Sequence, residues 1–135
     1  MLQPRRIKHR KVRKGKRGRK TTPRGYKINF GSYGLKAMES VWMTAAQIES
    51  ARRAITKQLK KGGKLWIRVF PDKPRTQKGA EVGMGKGAGS MSHFVAVVEP
   101  GRILFELDGV DRELAKSAFR VASHKLPIKT QFIEK

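Results

Sequence analysis

Cysteine is absent from the 135 residues, which excludes disulfides and thiolate metal sites and fits a reducing compartment. Acids are scarce: 10 Asp and Glu stand against 32 Lys and Arg, a formal net charge of +22. A chain so short of negative charge repels itself when compact. A polyanion whose phosphates release counterions on binding gives a reason for that charge. No apolar run approaches the ~20 residues that span a bilayer, and the basic start of the chain lacks the apolar stretch of a secretory leader. The expectation is therefore no membrane partner, a cytoplasmic location and one domain with a modest core. Histidine occurs only as His9, His93 and His124, none with a second His or a carboxylate at ligand spacing. No metal site, cofactor or catalytic centre is expected. Aromatics number ten, and most sit at positions that read as core.

What is present is organised around residues 64–98. Leu65, Ile67 and Val69 alternate with Trp66, Arg68 and Phe70, the period of a two-faced strand. Phe94–Val98 reads as a second, more apolar strand. Between them, residues 72–93 carry Gly79, Gly83, Gly85, Gly87 and Gly89 with few large apolar side chains, too long a stretch for a plain hairpin connection. The reading is a rigid sheet that holds out a glycine-rich, lysine-bearing loop.

Residues 1–25 hold twelve Lys and Arg and no acid, without helical or strand periodicity. They predict an RNA-binding tail that orders on phosphates, with Arg5, Arg6, Lys8, Arg10, Lys11, Arg13, Lys14 and Arg17 among its contacts. Residues 26–135 form the globular part. Tyr26, Ile28 and Phe30 predict a short strand, Gly31–Gly34 a turn and Leu35–Met43 an extended stretch. Thr44-Ala45-Ala46-Gln47 is a capping box. The helix it opens places Ile48, Ala51, Ile55 and Leu59 inward and Arg52, Arg53 and Lys57 outward, where they can meet RNA; Gly62-Gly63 stops it. Residues 102–107 predict a strand forming a hairpin with 94–98 in the same sheet. A second helix over about 111–125 has Leu114, Ala118, Val121 and Ala122 inward, and residues 128–133 a last strand. The fold class is α+β: a mainly antiparallel sheet with two helices packed on one face.

The glycines do not make a nucleotide site. A Walker loop needs glycine where Ala80 stands and Ser or Thr where Gly87 stands. Gly83-x-Gly85-x-x-Ala88 meets the relaxed dinucleotide pattern, but a strand follows it, so no helix N-terminus is there to receive a pyrophosphate. Glycine here serves close approach: the loop backbone can lie against RNA while Lys86 meets a phosphate, with Arg68, Lys73, Arg75 and Lys78 near. Two readings compete at this level, a ribosomal RNA-binding protein and a free-standing basic module such as an RNA chaperone or a DNA-compacting protein.

Several segments in order resemble the bacterial large-subunit ribosomal protein L-sixteen family: Met1-Leu2-x-Pro4-Arg5-Arg6, Asn29-Phe30-Gly31-x-Tyr33-Gly34-Leu35, Gln47-Ile48-Glu49-x-Ala51-Arg52, Lys64 to Pro74, Met84-Gly85-Lys86-Gly87 and His124 to Lys129. The resemblance covers essentially the whole chain. It implies a hammerhead-type fold, no enzymatic activity, late incorporation into the large subunit, and large-subunit rRNA, neighbouring ribosomal proteins and aminoacyl-tRNA as partners. It implies that the tail and the glycine-rich loop, here Lys78, Gly83, Met84, Gly85, Lys86 and Gly87, reach toward tRNA near the peptidyl-transferase region. The family usually has arginine directly before Met-Gly, hydroxylated in some relatives; this chain has Gly83.

Overall fold

The computed structural model describes residues 1–16, 18 and 20–135. Seven strands and two helices follow in the order β1 (Tyr33–Ala37), β2 (Val41–Thr44), α1 (Ala45–Leu59), β3 (Lys64–Ile67), β4 (Lys73–Gln77), β5 (Ser90–Val98), β6 (Ile103–Asp108), α2 (Arg112–Ser123) and β7 (Thr130–Glu134). The α+β class holds, but the single sheet does not. The strands divide into a four-stranded sheet, β3-β6-β1-β7, and a three-stranded sheet, β2-β5-β4, antiparallel throughout.

Two of the places where the chain changes sheet meet at one corner. The predicted extended stretch 35–43 is two strands, β1 in the larger sheet and β2 in the smaller. The predicted hairpin of 94–98 with 102–107 is likewise two strands of different sheets, because β5 is central in one and β6 central in the other. Backbone bonds tie the crossings together: Ala37 N–H donates to Arg102 O at 2.8 Å and Gly101 N–H to Ala37 O at 2.7 Å. Gly101 takes φ 96°, a left-handed turn open to glycine. Strands that change sheets in this way build the corners of sandwiches.

The helices follow their local signals. Thr44 Oγ1 accepts from Gln47 N–H at 3.2 Å and Gln47 Oε1 from Thr44 N–H at 3.0 Å, the reciprocal capping box. Ile48, Ala51, Ile55 and Leu59 are buried as the spacing predicts. In α2 the inward set is Ala115, Ala118, Phe119 and Ala122 rather than the predicted four; Leu114 and Val121 are half-buried beside it. The helices do not share one face of one sheet. They pack on each other, with α1 also against β2 and β5 and α2 against β1 and β7. Phe105 and Phe119, with Met43, Ile48, Ile55 and Leu107, fill the interior between them.

Three further expectations are corrected. Tyr33 and Gly34 belong to β1 rather than to a turn. The region 72–93 is a loop only in part: β4 pairs with β5 from Lys73–Val95 to Gln77–Ser90, leaving 78–89 as the connection. Residues 26–30 form no strand. The segment is held instead by the carboxylate of Glu106 on β6. Its Oε1 accepts N–H bonds from Asn29 at 2.9 Å, Phe30 at 2.9 Å and Gly31 at 3.1 Å. Its Oε2 accepts from Arg68 Nη1 at 2.6 Å. A carboxylate oxygen has thus replaced a strand ladder as the acceptor for this backbone.

Candidate nucleic-acid interface

The candidate interface comprises the three-stranded sheet, the β4–β5 hairpin and the N-terminal tail. The described tail residues have no helix or strand, yet they lie on the fold rather than apart from it. Lys14 O accepts from Lys73 Nζ at 2.8 Å, Ala88 O accepts from Lys11 Nζ at 3.4 Å, and Ser40 Oγ donates to Gly18 O. Thr22 N–H donates to Pro100 O at 2.9 Å and Ile103 N–H to Gly25 O at 2.7 Å, which fastens the tail's end to the sheet corner. Lys73 and Arg75 alternate on β4, so both reach Trp42 on β2, with the cationic groups 4.2 and 4.7 Å from its ring centroid. Together they form a basic ridge in which Lys11, Lys73 and Arg75 are held by these contacts.

The hairpin carries this ridge outward. Residues 79–88 are all exposed, and an added Cβ at Gly83, Gly85 or Gly87 would touch nothing within 4 Å. Gly85, Lys86 and Gly87 take φ 102°, 59° and 84°, so the tip turns through left-handed conformations that glycine adopts freely and lysine adopts at a cost. Lys78 Nζ donates to Gly85 O across the base of the tip.

The predicted contact residues divide by what else they do. Arg5, Arg6, Lys8, Arg10, Lys11, Arg13 and Lys14 are exposed along the tail; Arg17 lies outside the described residues. On α1, Lys57 is exposed, but Arg52 and Arg53 share Glu49: Arg52 Nε donates to Glu49 Oε2 at 2.9 Å and Arg53 Nε to Oε1 at 3.2 Å. The hydrogen bond from Arg52, helped by the charges of both arginines, lowers the Glu49 carboxyl to about 2. That face is therefore less positive than its arginine count suggests. Arg68 is turned inward, with its side chain 15 % exposed and paired to a Glu106 that is 0 % exposed. Burial pushes the Glu106 carboxyl up, but Arg68 and the three backbone N–H groups outweigh it and hold it below its ordinary value. Arg68 is a structural cation here, and nothing in its spacing distinguishes it from the outward ones.

Sequence reasoning placed most aromatics in the core. Only Phe105 and Phe119 of the ten are buried, while Tyr26, Phe30 and Phe70 are exposed. Among the described residues no three His, Asp or Glu side chains cluster as metal ligands, and no helix is long and apolar enough to cross a membrane.

A basic ridge beside an exposed glycine-rich tip is a surface suited to a polyanion. The chain belongs to the ribosomal protein L16p/L10e family, which it matches over residues 4–133. It is a large-subunit ribosomal protein, a structural constituent without enzymatic activity, with rRNA and other ribosomal proteins as its partners. Membership decides against the free-standing module.

Proposed function

We propose that the tail and the β4–β5 hairpin bind large-subunit rRNA and help position aminoacyl-tRNA near the peptidyl-transferase region of cytoplasmic ribosomes. The observation that carries this reading is the tip: ten successive exposed residues, 79–88, on a hairpin whose base is fixed by the β4–β5 ladder. Bare backbone at Gly83, Gly85 and Gly87 approaches an RNA strand closely, and Lys86 supplies a charge for a phosphate. Between Lys78 and Arg102 no other Lys or Arg occurs, so Lys86 carries that contact alone. The tail cations Arg5, Arg6, Lys8, Arg10, Lys11, Arg13 and Lys14, with Lys57 and Lys73, act on rRNA.

The test is to reconstitute large subunits with Lys86→Ala and with Lys86→Ala/Gly83→Arg. Subunits carrying Lys86→Ala assemble normally and bind aminoacyl-tRNA more weakly, and the added arginine recovers part of the loss. Wild-type tRNA binding by assembled Lys86→Ala subunits would make the tip a spacer and end this reading.

A further inference from the structure

The outer side of the four-stranded sheet carries an aromatic surface that the ridge and hairpin leave unexplained. Trp66 pairs across β6 with Glu106, and Glu106 pairs in turn with Gly34 on β1, so these three share one face of the sheet. Segment 26–31 lies over that face. An added Cβ on Gly34 would come within 3.2 Å of the Ile28 side chain, and one on Gly31 within 2.5 Å of Leu107 O. Phe30 is one of the segment's exposed members. Its ring stacks on Trp66 with centroids 6.1 Å apart and planes 21° apart, and the Arg68 guanidinium lies 5.2 Å from its centroid. Arg68 follows the end of β3 two residues after Trp66, and the phenyl ring contacts both. Even so, Phe30 remains 57 % exposed.

This exposed ring is held rigidly. Its own N–H is bonded to Glu106, as are those of the residues before and after it. Arg68, which supports the ring from below, is fixed by the same carboxylate. A flat apolar face fixed in advance loses little entropy when a second flat group settles on it. Its surroundings are cationic: the Arg68 guanidinium lies against it, Lys27 stands three residues before it in the same segment, and Lys64 Nζ lies 5.2 Å from the Trp66 centroid. The acids nearby are committed, Glu106 to the pair just described and Asp108 to Ser32 Oγ at 3.0 Å and Gly109 N–H at 2.9 Å.

We propose that Phe30, backed by Trp66 and Arg68, is a stacking platform for one unpaired base of an RNA strand, with Lys27 and Lys64 meeting the flanking phosphates. An unpaired base fits because it has a π-face of this size, and its strand carries the negative charge that the rim attracts. The site is separate from the hairpin tip and does not depend on the tRNA reading.

Two measurements test it. Large subunits reconstituted with the protein are irradiated at short ultraviolet wavelength, and the tryptic peptide 28–36 is searched for a nucleotide adduct. In parallel, Phe30→Leu and Phe30→Trp proteins are titrated onto large subunits lacking this protein. The expected results are an adduct on that peptide and about five- to tenfold weaker binding by Phe30→Leu. Phe30→Trp should bind within about twofold of wild type, and both variants should keep the wild-type slope of log K against log salt, since neither changes a charge that faces a phosphate. Wild-type affinity of Phe30→Leu, or equal weakening by both variants, would overturn the platform. So would the absence of an adduct together with lysine cross-links from Lys27 or Lys64 to another ribosomal protein, which would assign the surface to protein.

Discussion

Replacing Glu106 by glutamine tests the central anchor of the fold with almost no change of shape. Glu106 is fully buried, and one of its oxygens serves three backbone N–H groups while the other holds Arg68 at 2.6 Å. Removing one member of a buried ion pair typically costs about 3–5 kcal/mol, because the remaining charge stays desolvated. Two features place this case near the lower limit. Arg68 keeps 15 % exposure, and the glutamine oxygen still accepts from residues 29–31. The expected loss is therefore about 3 kcal/mol, a large share of the roughly 5–15 kcal/mol that holds a domain folded. In urea titrations with a slope of about 1.5 kcal/mol per molar, the midpoint should fall by roughly 2 M. Arg68→Met in the Glu106→Gln background should cost less than the sum of the two single changes, since the stranded charge is gone. Acid provides the second arm. The folded-state pKa of Glu106 is lowered from 4.5, so its contribution is complete above that value and is lost as pH falls toward the folded one. The gap between wild type and Glu106→Gln should be constant near neutrality and narrow as pH drops below 4.5. A deficit under about 1 kcal/mol at pH 7, or one that does not change on acidification, would refute the argument.

Other perturbations read other parts of the molecule. Ile55→Ala removes a side chain with no exposure and should destabilise by about 2–5 kcal/mol, whereas Lys57→Ala on the opposite face should change stability by less than about 0.5 kcal/mol, both measured by urea unfolding. Gly31→Ala drives a Cβ to 2.5 Å from Leu107 O and should cost about 1–3 kcal/mol, while Gly83→Ala, with nothing within 4 Å, should leave the melting midpoint unchanged. Deleting residues 1–16 should leave the fold intact, because Thr22 and Gly25 still tie the chain to the sheet corner. It should also flatten the salt dependence of rRNA binding by about 0.7–0.9 in log–log slope for each phosphate that the tail neutralises, and an unchanged slope in a filter-binding titration would show the tail to be inert.

Local signals carried the parts of the fold that are decided locally. The box Thr44-x-x-Gln47 and the spacing of Ile48, Ala51, Ile55 and Leu59 describe α1 and its buried face because a helix satisfies its own backbone within a few residues. Scarce acid and a net charge of +22 were enough to point to a polyanion, since long-range electrostatics depends on composition more than on folding. The division into two sheets was not legible. A period of two tells which side chains share a face, but not which strand lies alongside, so β5 and β6 look like a hairpin although they belong to different sheets. Glu106 was visible as a lone acid in the apolar run Ile103 to Leu107, yet its partners lie 38 residues away at Arg68 and 75–77 away at Asn29, Phe30 and Gly31. Those distances are closed only when β6 is placed beside β3 and β1. That placement turns Arg68 from a surface cation into an internal one, and the alternating Tyr26-Ile28-Phe30 segment from a strand into a strap over the sheet. A buried carboxylate must take whatever donors the tertiary fold delivers to it, and neither composition nor spacing records which donors those are.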